Sequence, residues 1–397
     1  MAEVTNYIDR LVAELCPDGV DFYTIDELIT LDFGTRITKS KDAGTIYPVY
    51  GGGGASFRTD NYNREDKYVV SRFAMSEKCV RYVSGKFWML DSGFTYSVKD
   101  ESLLSYKYIS YWLLNAQQEI YACSSQSAQR NLKTAEFKRF EVPVPPLEIQ
   151  EAIVEILDKF TNLEAELEAE LEARTLQYEY YRDSLFEALD CPRVPLGELG
   201  KFYGGLKGKT KNDFGSSGAR YISYKNVYEN ISADFTWPDF VQVKEGENQL
   251  SLMKGDILLT GSSENMEESG LSSVVTKEPE EKAYLNSFSI CYRLNDPSIL
   301  NPEFSKYLFR SRLARKQIIR TAQGVTRFNV SKKKLANVSI PIPSLEEQQR
   351  IVDILDRFDA LTSSLSEGLP AELAARRSQY EYYRDQLLSF PRKGENQ

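Results

Sequence analysis

PVPPLEIQEAIVEILDKF at 143–160 and PIPSLEEQQRIVDILDRF at 341–358 are two copies of one text, and each is followed by the same seven residues, QYEYYRD, at 177–183 and 379–385. A proline-rich opening onto apolar residues at helical spacing reads as the start of a helix. The chain is therefore one plan used twice: an irregular domain (1–142, then 192–340) followed by a helical region (143–191, then 341–397). A chain built this way most simply meets a partner that also presents two related sites.

Working outward from the first copy, the stretch from Leu147 to Cys191 contains neither Gly nor Pro. Ile149, Ile153, Ile156, Leu157, Phe160, Leu163, Leu167, Leu171, Tyr178, Tyr181 and Leu185 follow one another at helical intervals, giving a single apolar stripe with Glu on the other faces. At 1.5 Å per residue such a helix extends roughly 60 Å. One small domain cannot cover it, so it needs a helical partner. The second copy offers one in Ile351, Ile354, Leu355, Phe358, Leu361 and Leu365, interrupted by Gly368-Leu369-Pro370. A fresh helix from about Ala371 to Leu388 then carries Tyr380, Tyr383 and Leu387. The stripe positions read as helix-pair core.

Composition narrows the function. The 397 residues hold no histidine, which excludes a Ser-His-Asp triad, a Cys-His pair and a histidine metal site. Five scattered cysteines show no zinc or redox spacing and fit reduced thiols in a cytoplasm. No apolar run is long enough to span a membrane. The opening MAEVTNYIDRLVAEL is acidic and amphipathic, unlike a secretion signal, and reads as a short helix over 2–15.

The net charge of −9 is unevenly placed. Residues 141–190 carry 3 basic and 14 acidic groups, whereas 191–340 carry 22 and 16. Between Phe304 and Leu345 stand ten Lys or Arg and no acid. The acidity sits in the helices, which leaves the domains free to face phosphate.

The domains themselves read as α+β. Strands are expected at 46–54, 67–73, 78–90, 219–227 and 254–261, and late helices at 105–120 and 303–319, with Tyr108 matched to Tyr307 and Gln118 to Gln317. Enzyme motifs fail on inspection. GGLKGKT (204–210) lacks the first glycine of a phosphate loop, and GGGG (51–54) is followed by no helix. What remains is basic, polar and aromatic side chains on loops and strand ends. In the first domain these are Arg36, Thr38, Lys39, Lys41, Tyr50, Arg72, Arg81, Lys86 and Arg130; in the second, Lys207, Lys209, Lys211, Lys225, Asn226, Arg327 and Asn329. Arg and Lys suit guanine edges and phosphates, and Asn suits adenine, so this set is expected to contact double-stranded DNA.

The duplicated blocks, the ending EGLPAELAARRSQYEYYRDQLLSF (367–390), and YPVYGGGG, VVSRF and GKFWMLDSGFT in the first domain together resemble the specificity (S) subunit of type I restriction–modification systems, the HsdS family. The resemblance implies an α+β fold with two α/β target-recognition domains separated by two long helices forming an antiparallel coiled coil, with a pseudo-twofold internal repeat. It further implies a non-catalytic subunit in which each domain reads half of a bipartite DNA site. Two methyltransferase (M) subunits would dock on the helices, with restriction/motor (R) subunits joining. S-adenosylmethionine, ATP and Mg²⁺ would then belong to those partners, with no cofactor in this chain. On the helices, Tyr178, Tyr181, Arg182, Tyr380, Tyr383 and Arg384 are candidates for packing or subunit docking. The alternatives are a self-contained enzyme and a coiled-coil DNA-binding regulator without enzymatic partners. Between the aligned phenylalanines and QYEYYRD, the first copy is four residues shorter than the second and carries two tandem EAEL units (164–171). The family varies such four-residue units to change the gap between half-sites.

Overall fold

The structure, a computed structural model, describes residues 2–126, 129–362 and 368–394. It divides into two compact units, Met1–Leu167 with Leu373–Gln397, and Glu168–Glu372. Among the described residues no helix is long and apolar enough to cross a membrane.

The first unit is built on a six-stranded sheet in the order Ile29–Phe33, Gly93–Val98, Arg64–Ser71, Val80–Met89, Tyr47–Gly51, Gly54–Thr59. The second repeats the first four places with Gly200–Gly204, Ser289–Leu294, Ile257–Thr260 and Ser272–Val274. Registers agree. Ile29 faces Val98 as Gly200 faces Leu294, and Val70 faces Phe94 as Leu259 faces Ile290. Ile257–Thr260 is buried along its whole length, which is why it reads as a continuous apolar run rather than an alternating one.

The late helices are each broken in two, at Tyr106–Asn115 with Gln117–Ala122 and at Pro302–Leu308 with Arg312–Ile319. Asn301 caps the third of these and Pro302 fills its first turn, where a missing N–H does no harm. The expected strand 219–227 also divides. Its strand part is Ala219–Ile222, and the Ser223 side chain then accepts from the Asn226 N–H, starting the helix Tyr224–Glu229. A capping hydroxyl overrode the strand preference of the Tyr- and Val-rich text.

Each repeated block fixes its domain through one buried glutamine. Gln150 donates to the carbonyls of Leu103 and Pro145 and accepts from the Ser105 N–H at 2.8 Å. Gln348 donates to those of Ile299 and Pro343 and accepts from the Asn301 N–H at 2.7 Å. This sets Ser105 against Asn301 and corrects the expected helix register: Tyr111, not Tyr108, is the partner of Tyr307. Both hydroxyls donate at 2.6 Å to equivalent carboxylates, Tyr111 to Asp158 and Tyr307 to Asp356. Gln118 and Gln317 accordingly do not correspond. The identical residue types had invited a match three places out.

The long helix is unbroken from Leu147 to Glu187, while the second copy is two helices, Leu345–Thr362 and Gly368–Leu387. In the first unit Phe160 stacks on Tyr383 (5.8 Å, 27°) and touches Tyr380, and Arg377 pairs with Glu164 at 2.6 Å. Positions rising along one helix meet positions falling along the other, so the two run antiparallel. In the second unit the roles are exchanged, and Tyr181 stacks on Phe358 (5.4 Å, 28°). Each QYEYYRD thus packs against the phenylalanine of the opposite copy. Leu163, expected in the seam, is 46% exposed, and the Arg377–Glu164 ion pair occupies that level. The side chain of Leu361 lies outside the described residues.

Candidate nucleic-acid interface

The sheet ends of the two domains carry the same set of crossings. After the first strand a glycine lies against the neighbouring backbone. A Cβ at Gly34 would stand 2.1 Å from the Leu90 carbonyl oxygen, and one at Gly205 would stand 1.9 Å from that of Asn286. Neither position admits a side chain, and each delivers a cation two residues later, Arg36 and Lys207. Nearby, the Arg72 N–H donates to the Ser92 carbonyl and the Gly261 N–H to that of Phe288, both at 2.9 Å. The late loop is pinned alike: Leu132 N–H donates to Arg72 and Lys133 N–H to Cys123, as Val330 donates to Gly261 and Ser331 to Thr321.

A cavity opens at this place in each domain. In the first it measures about 380 Å³ and is lined by Arg36, Phe73, Ser92, Gln129 and Asn131. In the second it measures about 520 Å³, and Tyr224, Lys225, Ser262, Glu264, Phe288 and Arg327 line it. Arg327 is held on one wall by the Ser262 hydroxyl, which accepts from Nη2 at 3.1 Å and Nε at 3.3 Å. Phe288 is 63% exposed on the rim of this cavity.

The expected DNA-contact residues sort into three settings. Arg36, Lys225 and Arg327 line the cavities, and Lys207 occupies the place of Arg36. Arg72 lies over the rings of Phe33 and Phe73 at 5.1 and 4.6 Å, and Asn329 donates to the Arg327 carbonyl at 3.4 Å. Lys225 also lies 5.7 Å from the Trp237 ring. Thr38, Lys39, Lys41 and Lys211 are exposed on short helical turns flanking the first strands. Lys86 lies 4.5 Å from the Tyr62 ring, whose hydroxyl raises the lysine pKa, and Arg130 lies 4.5 Å from Tyr121.

The remaining four are taken up by the fold. Arg81 donates to the carbonyls of Gly51 and Gly52, bracing the four-glycine turn, and burial lowers its pKa. Tyr50 sits against Phe87 and beneath Arg81. Lys209 is nearly buried against Glu247 at 2.6 Å and holds that carboxyl below its ordinary range. Asn226 is fully buried, donating to the Asp234 carbonyl and accepting from the Asp234 N–H. Its expected approach to adenine is replaced by this bracing of the loop after its helix.

Ser92, Phe288, Phe73, Ser262, Gln129 and Asn131 were not singled out from sequence. The signal was present for the last pair, because Cys123 to Lys133 and Thr321 to Ser331 have equal length. On the helices, Arg182 and Arg384 each lie 5.5 Å from the tyrosine one turn back, Tyr178 and Tyr380, and burial pushes the Tyr178 hydroxyl up to about 12. Leu167 and Leu171 are half-buried along the same helix.

The two units thus carry like backbone frames with unlike cationic linings. Residues 17–173 and 191–375 match the model of the type I restriction modification DNA specificity domain. The EcoR124I/EcoR124II type I restriction enzyme specificity subunit of Escherichia coli is 33% identical over 317 residues, 74% of this chain and 73% of that one. The crystal structure of the S subunit from M. genitalium superposes with a TM-score of 0.54 at 19% identity, covering 93% of this chain and 96% of that one. A chain from a study of complex assembly and conformational transition of the type I R-M system gives 0.60 at 14% identity, covering 93% and 97%. At such identities the likeness establishes the fold alone.

This chain belongs to the type I restriction–modification specificity (S) subunit family. It is the non-catalytic DNA specificity subunit of such a system, and the family carries no cofactor of its own.

Proposed function

We propose that each domain reads one half of a bipartite, asymmetric site in double-stranded DNA, using the cavity face described above. The reading rests on one observation: equivalent backbone crossings in the two domains present different side chains at the same places. A shared frame gives both domains one docking geometry, and unlike linings give them different sequence preferences. The exposed lysines flanking each face serve phosphate, which positions the protein without selecting sequence.

The helices set the nonspecific spacer and dock two methyltransferase subunits, one for each copy of the repeat. Restriction/motor subunits complete the assembly, and S-adenosylmethionine, ATP and Mg²⁺ act on those partners, in the cytoplasm where the DNA is. Supporting this, the Phe–Tyr stacking recurs in both units with nearly the same geometry, as two copies of one partner would require.

Inserting one further EAEL after Leu171 tests the reading. Four residues add about 6 Å and about 40° beyond a full turn, so the apolar stripe survives. The expected methylation map has the same two half-sites with a spacer longer by about one or two base pairs, each pair being about 3.4 Å. An altered half-site with an unchanged spacer would contradict it.

A further inference from the structure

We infer that positions 129 and 327 are one and the same reading position in the two domains, occupied by glutamine in the first and arginine in the second. This rests on the proposed division of labour between the domains and adds the bases. The alignment comes from backbone bonds, not from side-chain similarity. Ala322 pairs with Val330 as Ser124 pairs with Leu132, and the N–H groups of Lys133 and Ser331 close loops of equal length onto Cys123 and Thr321. Counting back from Leu132 and Val330, the equivalents are Asn131 with Asn329 and Gln129 with Arg327. Gln129 and Arg327 each line the cavity of their own domain, in company with two further equivalent pairs, Phe73 with Ser262 and Ser92 with Phe288.

The chemistry of the two side chains differs in a definite way. Arginine presents two parallel N–H donors that match the O6 and N7 acceptors of guanine. Glutamine presents one donor and one acceptor that match N7 and N6 of adenine. The Ser262 hydroxyl engages the side edge of the Arg327 guanidinium, Nε–H and one Nη2–H, and leaves the end edge, Nη1–H with the second Nη2–H, as the parallel donor pair for guanine. The second half-site therefore contains a guanine read by Arg327, and the first an adenine read by Gln129.

The test uses the whole chain assembled with its methyltransferase subunits in a host free of other adenine methylation. Arg327→Gln is expected to exchange guanine for adenine at one position of the second half-site, with at least about tenfold reversal in relative methylation rate. The first half-site stays as it was and reports that the complex is assembled. Gln129→Arg is expected to do the converse in the first half-site only. Arg327→Lys keeps guanine, because lysine also donates to O6 and N7, and guards against a variant that fails to fold. A wild-type second half-site without guanine overturns the inference, as does an Arg327→Gln map identical to wild type or loss of the guanine preference in Arg327→Lys. A wild-type site with no bipartite character would instead overturn the division of labour itself.

Discussion

The two recognition domains share a skeleton and differ in how it is filled. In the second, Asp256 is fully buried and receives Nε and Nη2 of Arg293 at 2.7 and 2.6 Å. The strand registers put Lys67 and Ser97 at those places in the first domain, which has no such pair there. Its sheet is braced instead by tyrosines: Tyr96 and Tyr106 stand 5.4 Å apart, Tyr106 stacks edgewise near Tyr68, and the Tyr96 hydroxyl donates to Ser110 at 2.8 Å. What the domains keep in common is the buried glutamine, the close-approach glycine and the backbone crossings of the late loop. The difference teaches that the frame is held by backbone geometry, which leaves core and cavity side chains free to diverge.

If the frame is common, damage to it should be equal in both domains. Gly34→Ala and Gly205→Ala each force a Cβ into a carbonyl oxygen, and each is expected to destabilise its own domain by about 4 kcal/mol, at the upper end for single substitutions. Hydrogen exchange, which reports each domain separately, is the measurement, and a mild effect in one domain alone would break the equivalence. Damage to a private feature should be unequal. Asp256→Asn leaves Arg293 beside a neutral group and is expected to cost the second domain about 3 kcal/mol, with exchange in the first unchanged. Gln150→Leu and Gln348→Leu sharpen the comparison at a smaller scale. Each strands one N–H and two carbonyls, and both should lose about 2 kcal/mol by denaturant titration, matched between domains.

Much of this plan was legible in the chain. The duplicated blocks marked the helices and the repeat, because apolar spacing and absent Gly or Pro are local signals. The family resemblance supplied the pairing direction that spacing alone did not. Three things were hidden. The match of Tyr111 with Tyr307 depends on Gln150 and Gln348, whose partners lie some 45–50 residues away. The commitment of Arg81, Lys209 and Asn226 to their own loops depends on tertiary neighbours that a list of basic and polar residues cannot show. The cavity positions Ser92 and Phe288 carry no charge and no motif, and only the sheet register places them with the loop that holds Gln129 or Arg327.

The most direct measurement is a genome-wide adenine-methylation map of the assembled complex carrying Arg36→Ala and, separately, Arg327→Ala. The account predicts that Arg36→Ala relaxes sequence preference in one half-site alone and Arg327→Ala in the other alone, the spacer staying fixed in both. Equal relaxation of both halves by either substitution would contradict it, since neither domain would then read its half independently.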